Sequence, residues 1–338
     1  MKGYKIVKPY TLKEVEIPEQ EFSTGKAKVK MTKTLVTLPD FLKYMEGDKD
    51  VSPVLGSYGI GIVSETDANF FGLEKGTHVY IEPFTPCGEC YNCKNGEPKK
   101  CSELLIAGDD SDGFLSDFYS AKPEKLFALP ESVSDYDALF IGQISLAISV
   151  IDKLKIQKGD YVSIVGGNNF ANILAQLLIY YQAVPIVLTT DAEDYEILKN
   201  SGIYYVLGEN DNWQKDVMNI TGGRMTSSVV YVADCDIPVT KAFSLASYNA
   251  RVIFTGNAYK NNPISFAQAV RKQLTFYCVN ISSGNTASSI NVIANKAVNL
   301  SNLKVETASY EDVPKLFKNM SAKFETDGKI YETVIENL

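Results

Sequence analysis

The sequence lacks several features that would place it in common functional classes. It has no uninterrupted apolar run of the roughly 18 residues needed to cross a bilayer, and it opens with the charged, alternating stretch MKGYKIVKPY. The chain also has fewer basic than acidic residues: 33 Lys and Arg against 41 Asp and Glu give a net charge of -8. A surface that follows phosphate backbones needs clustered Lys and Arg, so we expect neither nucleic acid nor a membrane as partner. A cytoplasmic protein of about two domains is the expectation.

Cysteine is scarce outside one short stretch. Of six cysteines, four fall within CGECYNCKNGEPKKC, namely Cys87, Cys90, Cys93 and Cys101. Because disulfides seldom persist in a reducing cytosol, such a cluster favours a metal over two disulfides or idle thiols. Two-residue gaps let the first three thiolates converge, and the seven residues before the fourth return the chain to close a tetrahedron. Four thiolates with no vacancy predict a structural zinc site, with one zinc per chain.

The pattern of hydrophobic residues divides the chain into two parts. Up to about residue 130, AKVKM, IGIVSE and HVYIEP predict short strands of a barrel-like β domain. From residue 132 the apolar spacing becomes helical, and residues 158–191 read as strand, glycine turn, helix and strand. Further strands at IYYVLG, SSVVYVA and RVIFTG predict a doubly wound parallel sheet that continues to about residue 299. One apolar stripe of the helix is predicted to pack on that sheet: Phe170, Ile173, Leu174, Leu177, Leu178 and Tyr181.

A glycine turn joins the first of these strands to the helix and reads GGNNFA, from Gly166 to Ala171. In the G-x-G-x-x-G motif, such a turn lets main-chain N–H groups and the helix dipole meet a pyrophosphate. Asn168 stands at the third place, where its side chain occupies space that the pyrophosphate would use. We predict a dinucleotide site here, with a doubly wound domain that has lost its cofactor site as the alternative. Its residues are Gly166, Gly167, Asn168, Asn169 and Phe170.

Together these motifs resemble the medium-chain dehydrogenase/reductase superfamily, in its zinc-containing alcohol and polyol dehydrogenase branch, over nearly the whole chain. The cysteine run has the spacing of that family's structural zinc lobe, here about residues 86–102, and PVLGSYGIGIVSE stands where the family has a Gly-His-Glu stretch. The resemblance implies an α/β protein with a GroES-like β-barrel catalytic domain over residues 1–131 and 300–338. It also implies a doubly wound Rossmann nucleotide-binding domain over residues 132–299, and assembly as a homodimer or homotetramer.

The same resemblance implies that the family's second, catalytic zinc has lost its ligands in this chain. The positions of the family's Cys, His, second Cys or Glu, and neighbouring Glu correspond to Thr37, Ser57, Gly142 and Tyr58. None of these four is an ordinary zinc ligand. Asp40 matches an acid that supports the zinc in relatives, and here we expect a plain hydrogen-bond acceptor. His78 is the only histidine and lies in a stretch that reads as turn and strand, so we expect a surface or packing residue.

Two functions are compatible with this scaffold when it has no Lewis acid. In the first, an oxidoreductase passes hydride between a nicotinamide and a carbonyl or activated alkene, with Tyr58, Ser57 and Thr37 lining one pocket. A tyrosine hydroxyl can protonate a developing oxyanion, and fixed hydroxyl donors can stabilise its charge. Alternatively, these side chains merely fill the vacated cavity. The second function is that of a non-catalytic homologue retained for binding or assembly, which need not bind a dinucleotide.

The preferred nicotinamide cofactor is inferred from the turn after the second Rossmann strand, IVLTTDAEDYEIL. The family's ribose-facing position falls on Thr189, and Asp191 follows two residues later. Asp191, Glu193 and Asp194 crowd this turn with no Arg or Lys before Lys199, so a 2′-phosphate would meet like charge. The sequence therefore favours NAD(H) over NADP(H), with Thr189 and Asp191 as cofactor-binding residues.

Overall fold

The chain forms two compact units, one made of residues 1–141 and 305–338 and the other of residues 142–304. The domain boundaries predicted from the sequence, after residues 131 and 299, stay a prediction. The structure, a computed structural model, describes residues 1–18, 25–47, 52–66, 72–209, 212–232, 235–256, 266–280 and 284–337.

The strands and helices follow one another along the whole chain. The strands are β1 (Lys2–Lys8), β2 (Thr11–Glu16), β3 (Ala27–Val36), β4 (Tyr58–Glu65), β5 (His78–Ile81), β6 (Phe84–Thr85), β7 (Leu105–Ile106), β8 (Phe118–Ala121), β9 (Leu126–Ala128), β10 (Tyr161–Val165), β11 (Val184–Leu188), β12 (Tyr205–Leu207), β13 (Thr226–Val232), β14 (Ala246–Thr255), β15 (Thr275–Cys278), β16 (Val305–Ser309) and β17 (Glu332–Glu336). The α-helices are α1 (Leu38–Glu46), α2 (Tyr91–Lys94), α3 (Asp135–Ala138), α4 (Ile141–Leu154), α5 (Asn169–Tyr180), α6 (Ala192–Asn200), α7 (Trp213–Ile220), α8 (Val239–Leu245), α9 (Phe266–Lys272), α10 (Thr286–Ala294) and α11 (Val313–Asp327). None of these helices, which cover the described residues, is long and apolar enough to cross a membrane.

The first unit is built on a mixed sheet in the order β16-β17-β3-β4-β5-β9, with β8 paired to β3. In β3, Ala27, Val29 and Met31 are buried and alternate with Lys28 and Lys30, as expected for a strand with one face on a core. The strands β3 and β4 are antiparallel, so that β4 begins at the edge where β3 approaches α1. β6 and β7 pair with each other and close the intervening cysteine run into a lobe.

The second unit is built on a parallel sheet in the order β12-β11-β10-β13-β14-β15. Counted along the chain, this is the order 3-2-1-4-5-6 of a doubly wound Rossmann sheet. The predicted parallel sheet is therefore confirmed. β10 is buried over four of its five residues, because a parallel sheet covered on both faces needs a nearly continuous apolar run.

Helix α5 of this unit is buried on more than its apolar side. The predicted apolar residues from Phe170 to Leu178 are buried, but the prediction for Tyr181 is wrong, because it stands at the C-cap and is 42% exposed. Asn172 and Gln176, on the polar side of the helix, are also buried. The Gln176 amide exchanges hydrogen bonds with the backbone of Asn299. The Asn172 amide donates to the Ser201 hydroxyl and accepts from Gln176.

Candidate functional site

The four cysteines predicted to bind zinc come together in the first unit. Their Sγ atoms all lie within 4.8 Å of one another. The Sγ–Sγ distances are 3.5 Å for Cys87–Cys101, 3.9 Å for Cys90–Cys101 and 4.0 Å for Cys87–Cys93, and all four thiols are free. A tetrahedral zinc with Zn–S bonds of about 2.3 Å holds its sulfurs roughly 3.8 Å apart, whereas a disulfide bond is only about 2.0 Å long. The sulfurs thus have the spacing of a four-thiolate metal site, the one such donor group found among the described residues.

The backbone of the lobe turns N–H groups toward these sulfurs. The N–H of Cys87 donates to Cys101 Sγ and that of Cys90 to Cys87 Sγ, both at 3.3 Å. Backbone N–H groups of Cys93 and Ser102 lower the pKa of the Cys90 thiol to about 6, while desolvation raises the pKa of the Cys93 thiol to about 12. Backbone N–H donors stabilise thiolates, and a cation bound between the four cysteine sulfurs would balance their negative charge.

A buried carboxylate organises the residues around Thr37 and Ser57, where the family resemblance predicts a catalytic zinc site without its ligands. Asp40 is in the first turn of α1, and its Oδ2 accepts hydrogen bonds from the N–H and the hydroxyl of Thr37, both at 2.9 Å. Its Oδ1 accepts from the N–H of Gly56 at 3.1 Å. Burial raises the pKa of Asp40 above its ordinary value, although these donors and Lys43 oppose that shift. Asp40 therefore joins Thr37 to the residue before Ser57, and its predicted role as a hydrogen-bond acceptor is confirmed.

The loop that carries Ser57 is held from another direction by backbone packing. Phe114 donates its N–H to the carbonyl of Gly56 at 2.9 Å. A Cβ placed on Gly113 would lie 2.3 Å from that carbonyl oxygen, and one on Gly108 would lie 2.9 Å from the carbonyl carbon. The backbone at Gly108 and Gly113 is thus in contact with the backbone at Gly56, and neither glycine has room for a side chain. The segment that contains Gly108, Gly113 and Phe114 follows the cysteine lobe in the chain. It therefore connects the lobe to the backbone that packs against the Ser57 loop.

Tyr58 and Ser57 are both partly buried, and Tyr58 is the first residue of β4. Burial raises the pKa of the Tyr58 hydroxyl, and the negative charges of Glu332, Asp40 and Glu82 raise it further. The phenol is therefore neutral at physiological pH. It suits the role of a hydrogen-bond donor to an oxyanion better than that of an acid tuned to release its proton near neutrality.

The residues around Asp40 do not fit a catalytic zinc. Thr37 and Ser57 offer neutral hydroxyls, and both oxygen atoms of Asp40 already accept hydrogen bonds. A catalytic zinc needs about three N, S or O ligands and an open position. Whatever chemistry this group of residues supports must therefore rest on hydroxyl groups.

The single histidine lies on the surface, as predicted. The side chain of His78 is 50% exposed, and its Nδ1 lies 2.9 Å from Asp135 Oδ1. The other carboxylate oxygen of Asp135 accepts a hydrogen bond of 3.4 Å from the Thr32 hydroxyl. His78 thus lies in a surface contact with Asp135 at the start of β5.

The glycine turn of the second unit has a geometry that requires glycine. Gly166 has a φ of +121°, and its N–H donates to the carbonyl of Leu188 at 2.9 Å. A Cβ placed on Gly167 would lie 2.6 Å from Thr189 Oγ1 and 3.0 Å from Asp194 Cβ. The turn after β10 therefore packs directly against the turn after β11. In doubly wound sheets this edge, at the carboxyl ends of the strands, is where ligands bind.

The asparagines of the glycine turn use their side chains within the protein. Asn168 is the N-cap of α5, and its Oδ1 accepts from the N–H of Ala171 at 3.0 Å. Asn169 is buried, and its amide both donates to the carbonyl of Lys304, at 2.9 Å, and accepts from the N–H of Lys304, at 2.8 Å. Phe170 packs in the core. The predicted cofactor residues of the turn thus lie together, and two of them already have protein partners.

The two predicted ribose-side residues lie beside this turn and support its backbone. Thr189 Oγ1 accepts from the N–H of Asp191 at 3.1 Å. Asp191 is the N-cap of α6, and its Oδ1 accepts from the N–H groups of Glu193, at 2.8 Å, and Asp194, at 3.0 Å.

Sequence reasoning missed a lysine at the same turn. Lys304 Nζ forms an ion pair with Glu193 and lies 3.8 Å from Asp194 Oδ1. The prediction for NAD(H) counted the acids of the turn and no cation, because Lys304 is far away in the sequence. The amide of Asn169, which holds the Lys304 backbone, explains how the lysine is brought there.

Comparison with known proteins agrees with this arrangement. The family model of the alcohol dehydrogenase GroES-like domain matches residues 23–131. An uncharacterized zinc-type alcohol dehydrogenase-like protein of Haemophilus influenzae is 23% identical over 291 residues, 86% of this chain and 82% of that protein. D-xylulose reductase A of Aspergillus oryzae is 21% identical over 291 residues, 83% of this chain and 80% of that protein. A crystal structure of a short chain alcohol dehydrogenase from E. coli CFT073, complexed with NADH, has the same fold, with a TM-score of 0.86, 21% identity and 99% coverage of both chains.

The GroES-like match over residues 23–131 and the similarity of more than four fifths of the chain to a zinc-type alcohol dehydrogenase-like protein and to a xylulose reductase place it with the zinc-type alcohol and polyol dehydrogenase-like branch of the medium-chain dehydrogenase/reductase superfamily. The predicted combination of a GroES-like domain with a doubly wound Rossmann sheet is thereby confirmed. The relatives also support its classification as a dehydrogenase-like oxidoreductase.

Proposed function

We propose that this protein is an NAD(P)(H)-dependent oxidoreductase that transfers hydride to or from a carbonyl or activated alkene without a catalytic zinc. The observation that carries the proposal is the glycine turn. Gly166 needs a positive φ, and Gly167 has no room for a Cβ at the carboxyl end of β10. There a helix N-terminus can meet a pyrophosphate. The reaction class is supported by relatives whose names are those of an alcohol dehydrogenase-like protein and a reductase.

In this proposal hydroxyl groups replace the metal as stabilisers of the reacting oxygen. A dihydronicotinamide, when bound at the glycine turn, would supply the hydride for a carbonyl carbon. The neutral Tyr58 hydroxyl would donate a hydrogen bond to the oxygen on which charge develops, and that oxygen would then take a proton from solvent water while Tyr58 keeps its own. Ser57 is the second donor. The single hydroxyl proton of Thr37 is used in a hydrogen bond to Asp40. The role of Thr37 is therefore to hold the loop of Ser57 and Tyr58 in place.

The metal of the cysteine lobe has a structural part in the proposal. Cys87, Cys90, Cys93 and Cys101 would hold one zinc per chain, and four thiolates saturate a tetrahedral ion. No position is then open for substrate or an activated water, so the metal would fold the lobe without taking part in hydride transfer. A homodimer or homotetramer in the cytoplasm remains our expectation from the family resemblance.

A non-catalytic binding or assembly protein is the second candidate. The observation that favours it is the internal bonding of the predicted cofactor residues. Side-chain atoms of Asn168, Asn169, Thr189 and Asp191 all bond to protein groups. These atoms therefore have hydrogen-bond partners without a dinucleotide.

Titration of the zinc-loaded protein with NADH and NADPH, followed by nicotinamide fluorescence and calorimetry, separates the two candidates. The oxidoreductase proposal expects saturable binding of NADH. It also expects Gly167→Ala to abolish that binding, because the new Cβ would displace Thr189 and Asp194. Gly208→Ala is the matched control, since its Cβ would have its nearest contact at an ordinary 3.6 Å from Tyr195. If the wild type binds neither dinucleotide, the non-catalytic function is favoured.

A further inference from the structure

Lys125 lies in an environment unlike that of an ordinary surface lysine. It is the last residue of a 3₁₀ turn (Pro123–Lys125) directly before β9, and it is half-buried. Its Nζ donates to the Thr85 hydroxyl at 2.7 Å. In the part of the chain that the structure describes, this neutral group is its side-chain hydrogen-bond partner, whereas Lys33 is paired with the carboxylate of Glu336. The Lys125 amine is thus held by a group that does not require it to be charged.

The backbone fixes this amine at the base of the cysteine lobe. The N–H of Glu82, which follows β5, donates to the Lys125 carbonyl at 2.8 Å, and β5 and β9 are antiparallel neighbours. Thr85 belongs to β6, whose pairing with β7 closes the lobe. On a further side, the Tyr119 ring of β8 has its centroid 5.8 Å from the Lys125 Nζ. Residues of three strands therefore surround the amine.

This enclosure changes the proton affinity of the amine. Desolvation lowers the pKa of Lys125 from 10.5 to about 8, although the charges of Glu82 and Glu124 oppose the shift. Tyr119 stays neutral, because burial and the charge of Asp112 raise the pKa of its phenol to about 12. Glu82 and Glu124 are therefore the charges beside the amine. At pH 7.5 roughly a quarter of the Lys125 amines are neutral, against roughly one in a thousand for a lysine of ordinary pKa.

A neutral lysine amine is a nucleophile for carbonyl carbon. Its lone pair attacks an aldehyde, a C–N bond forms, and the oxygen takes up the proton that the nitrogen loses, which gives a carbinolamine. Loss of water then leaves an imine, so one amine and one aldehyde yield one imine and one water without oxidant or reductant. The Thr85 hydroxyl has a proton of its own to donate to the carbinolamine oxygen. A protonated imine also keeps a positive charge beside Glu82.

We propose that Lys125 is a covalent binding site for small neutral aldehydes, which it holds as a reversible imine at the base of the cysteine lobe. The site shares no residue with the group around Asp40 and does not depend on hydride transfer. The carboxylates of Glu82 and Glu124 would repel an anionic carbonyl compound such as a 2-oxo acid. The half-buried position of the amine limits the site to small compounds.

The test is reductive trapping of the imine in the full-length, zinc-loaded protein with propionaldehyde and cyanoborohydride, followed by peptide mass spectrometry. Lys122 is the matched internal control, because it lies three residues earlier, is 66% exposed and also has Glu124 as a neighbour. At pH 7 we expect labelling of Lys125 about tenfold faster than that of Lys122, since its larger neutral fraction outweighs its weaker nucleophilicity and partial burial. Toward pH 10 the ratio should fall to about one or below, because ordinary lysine amines then also lose their protons.

Glyoxylate in place of propionaldehyde tests the class of carbonyl compound. Its preference for Lys125 over Lys122 should be about threefold smaller, because the Glu82 carboxylate repels an anion that approaches Lys125. Glu82→Gln should remove much of this difference. The same variant should raise the labelling of Lys125 by propionaldehyde at pH 7 about twofold, because the charge of Glu82 otherwise raises the pKa of the amine.

The comparison of two lysines in the wild-type protein does not depend on whether a variant folds. If Lys125 is labelled no faster than Lys122 at pH 7, or if the ratio is the same at pH 7 and pH 10, Lys125 is an ordinary lysine and the proposal is overturned. Equal preference with glyoxylate would overturn the restriction to neutral aldehydes. Neither result bears on the proposed hydride transfer, which the dinucleotide titration tests separately.

Discussion

The cysteine lobe and the group of residues around Asp40 lie in the same unit and differ in what completes them. In the lobe, four sulfurs converge within 4.8 Å, and only a cation would balance thiolates at that distance. Around Asp40, the carboxylate already accepts three hydrogen bonds from Thr37 and Gly56. The lobe therefore offers four sulfur donors to a metal, whereas both oxygens of Asp40 are engaged with protein groups.

The largest expected effect comes from removing the metal of the lobe. We predict about one tightly bound zinc per chain, and we expect Cys101→Ser or chelation to unfold the lobe and lower the melting temperature. The lobe is polar and partly exposed, so metal binding, which contributes on the order of 10 kcal/mol in zinc-dependent peptides, supplies much of its order. Metal analysis and thermal unfolding with and without chelator measure both quantities.

Cys278→Ser is the control for this prediction, because Cys278 is an exposed free thiol outside the group of four. It should change neither the zinc content nor the melting temperature by much. Two tightly bound zincs per chain, or a metal-free protein with the four cysteines oxidised to disulfides, would contradict the prediction.

The second largest effect tests whether the group around Asp40 is complete without a metal. Asp40→Ala should lower the free energy of unfolding by about 3 kcal/mol, because the N–H groups of Thr37 and Gly56 would lose a charged acceptor in a buried place. Asp40→Asn retains an acceptor oxygen and should be milder. Glu131→Gln, at an exposed carboxylate, is the control and should have little effect. A mild Asp40→Ala variant would show that these hydrogen bonds contribute little.

The pH dependence sharpens the same prediction. Because burial raises the pKa of Asp40, the folded protein binds this proton more tightly than the unfolded chain does. The stability that this difference contributes is complete below the ordinary pKa of 3.8 and is lost as the pH rises through the raised value. The free energy of unfolding of the wild type should therefore fall relative to that of Asp40→Asn over this range. Urea unfolding of both proteins at a series of pH values measures the difference, and a difference that is constant with pH would contradict it.

The contrast between these regions also shows what the sequence can predict. The cysteine cluster and the doubly wound sheet were predictable because ligand spacing and hydrophobic periodicity are local properties of the chain. The partners of Asp40 include Gly56, 16 residues away, and Asn169 bonds to Lys304 across 135 residues. No pattern of neighbouring residues in the sequence predicts hydrogen bonds between such distant residues. Tyr181 has the helical spacing of the buried residues, but α5 ends one residue before it. The spacing of apolar residues does not fix where a helix ends, so Tyr181 was predicted wrongly.

The smallest and most specific effect concerns Tyr58, which distinguishes a working hydroxyl site from a filled cavity. If reductase activity is found, Tyr58→Phe should lower turnover roughly 10²-fold and leave NADH affinity nearly unchanged, because only the bond to the developing oxyanion is lost. Ser57→Ala should cost roughly tenfold, as the loss of one neutral donor. Thr37→Val should act mainly on stability, since its hydroxyl serves Asp40.

The pH profile of turnover supplies an independent readout for Tyr58. Burial and the nearby acids raise the pKa of Tyr58 above the ordinary value of 10.0, so the phenol keeps its proton below pH 10. We therefore expect no loss of turnover from deprotonation of Tyr58 below pH 10, and an unchanged profile in Tyr58→Phe at its lower level. Initial rates at saturating cofactor, compared between wild type, Tyr58→Phe and Ser57→Ala, measure this. If Tyr58→Phe retains full turnover, the Tyr58 hydroxyl has no part in the chemistry. The residues around Asp40 would then only pack the interior of the first unit.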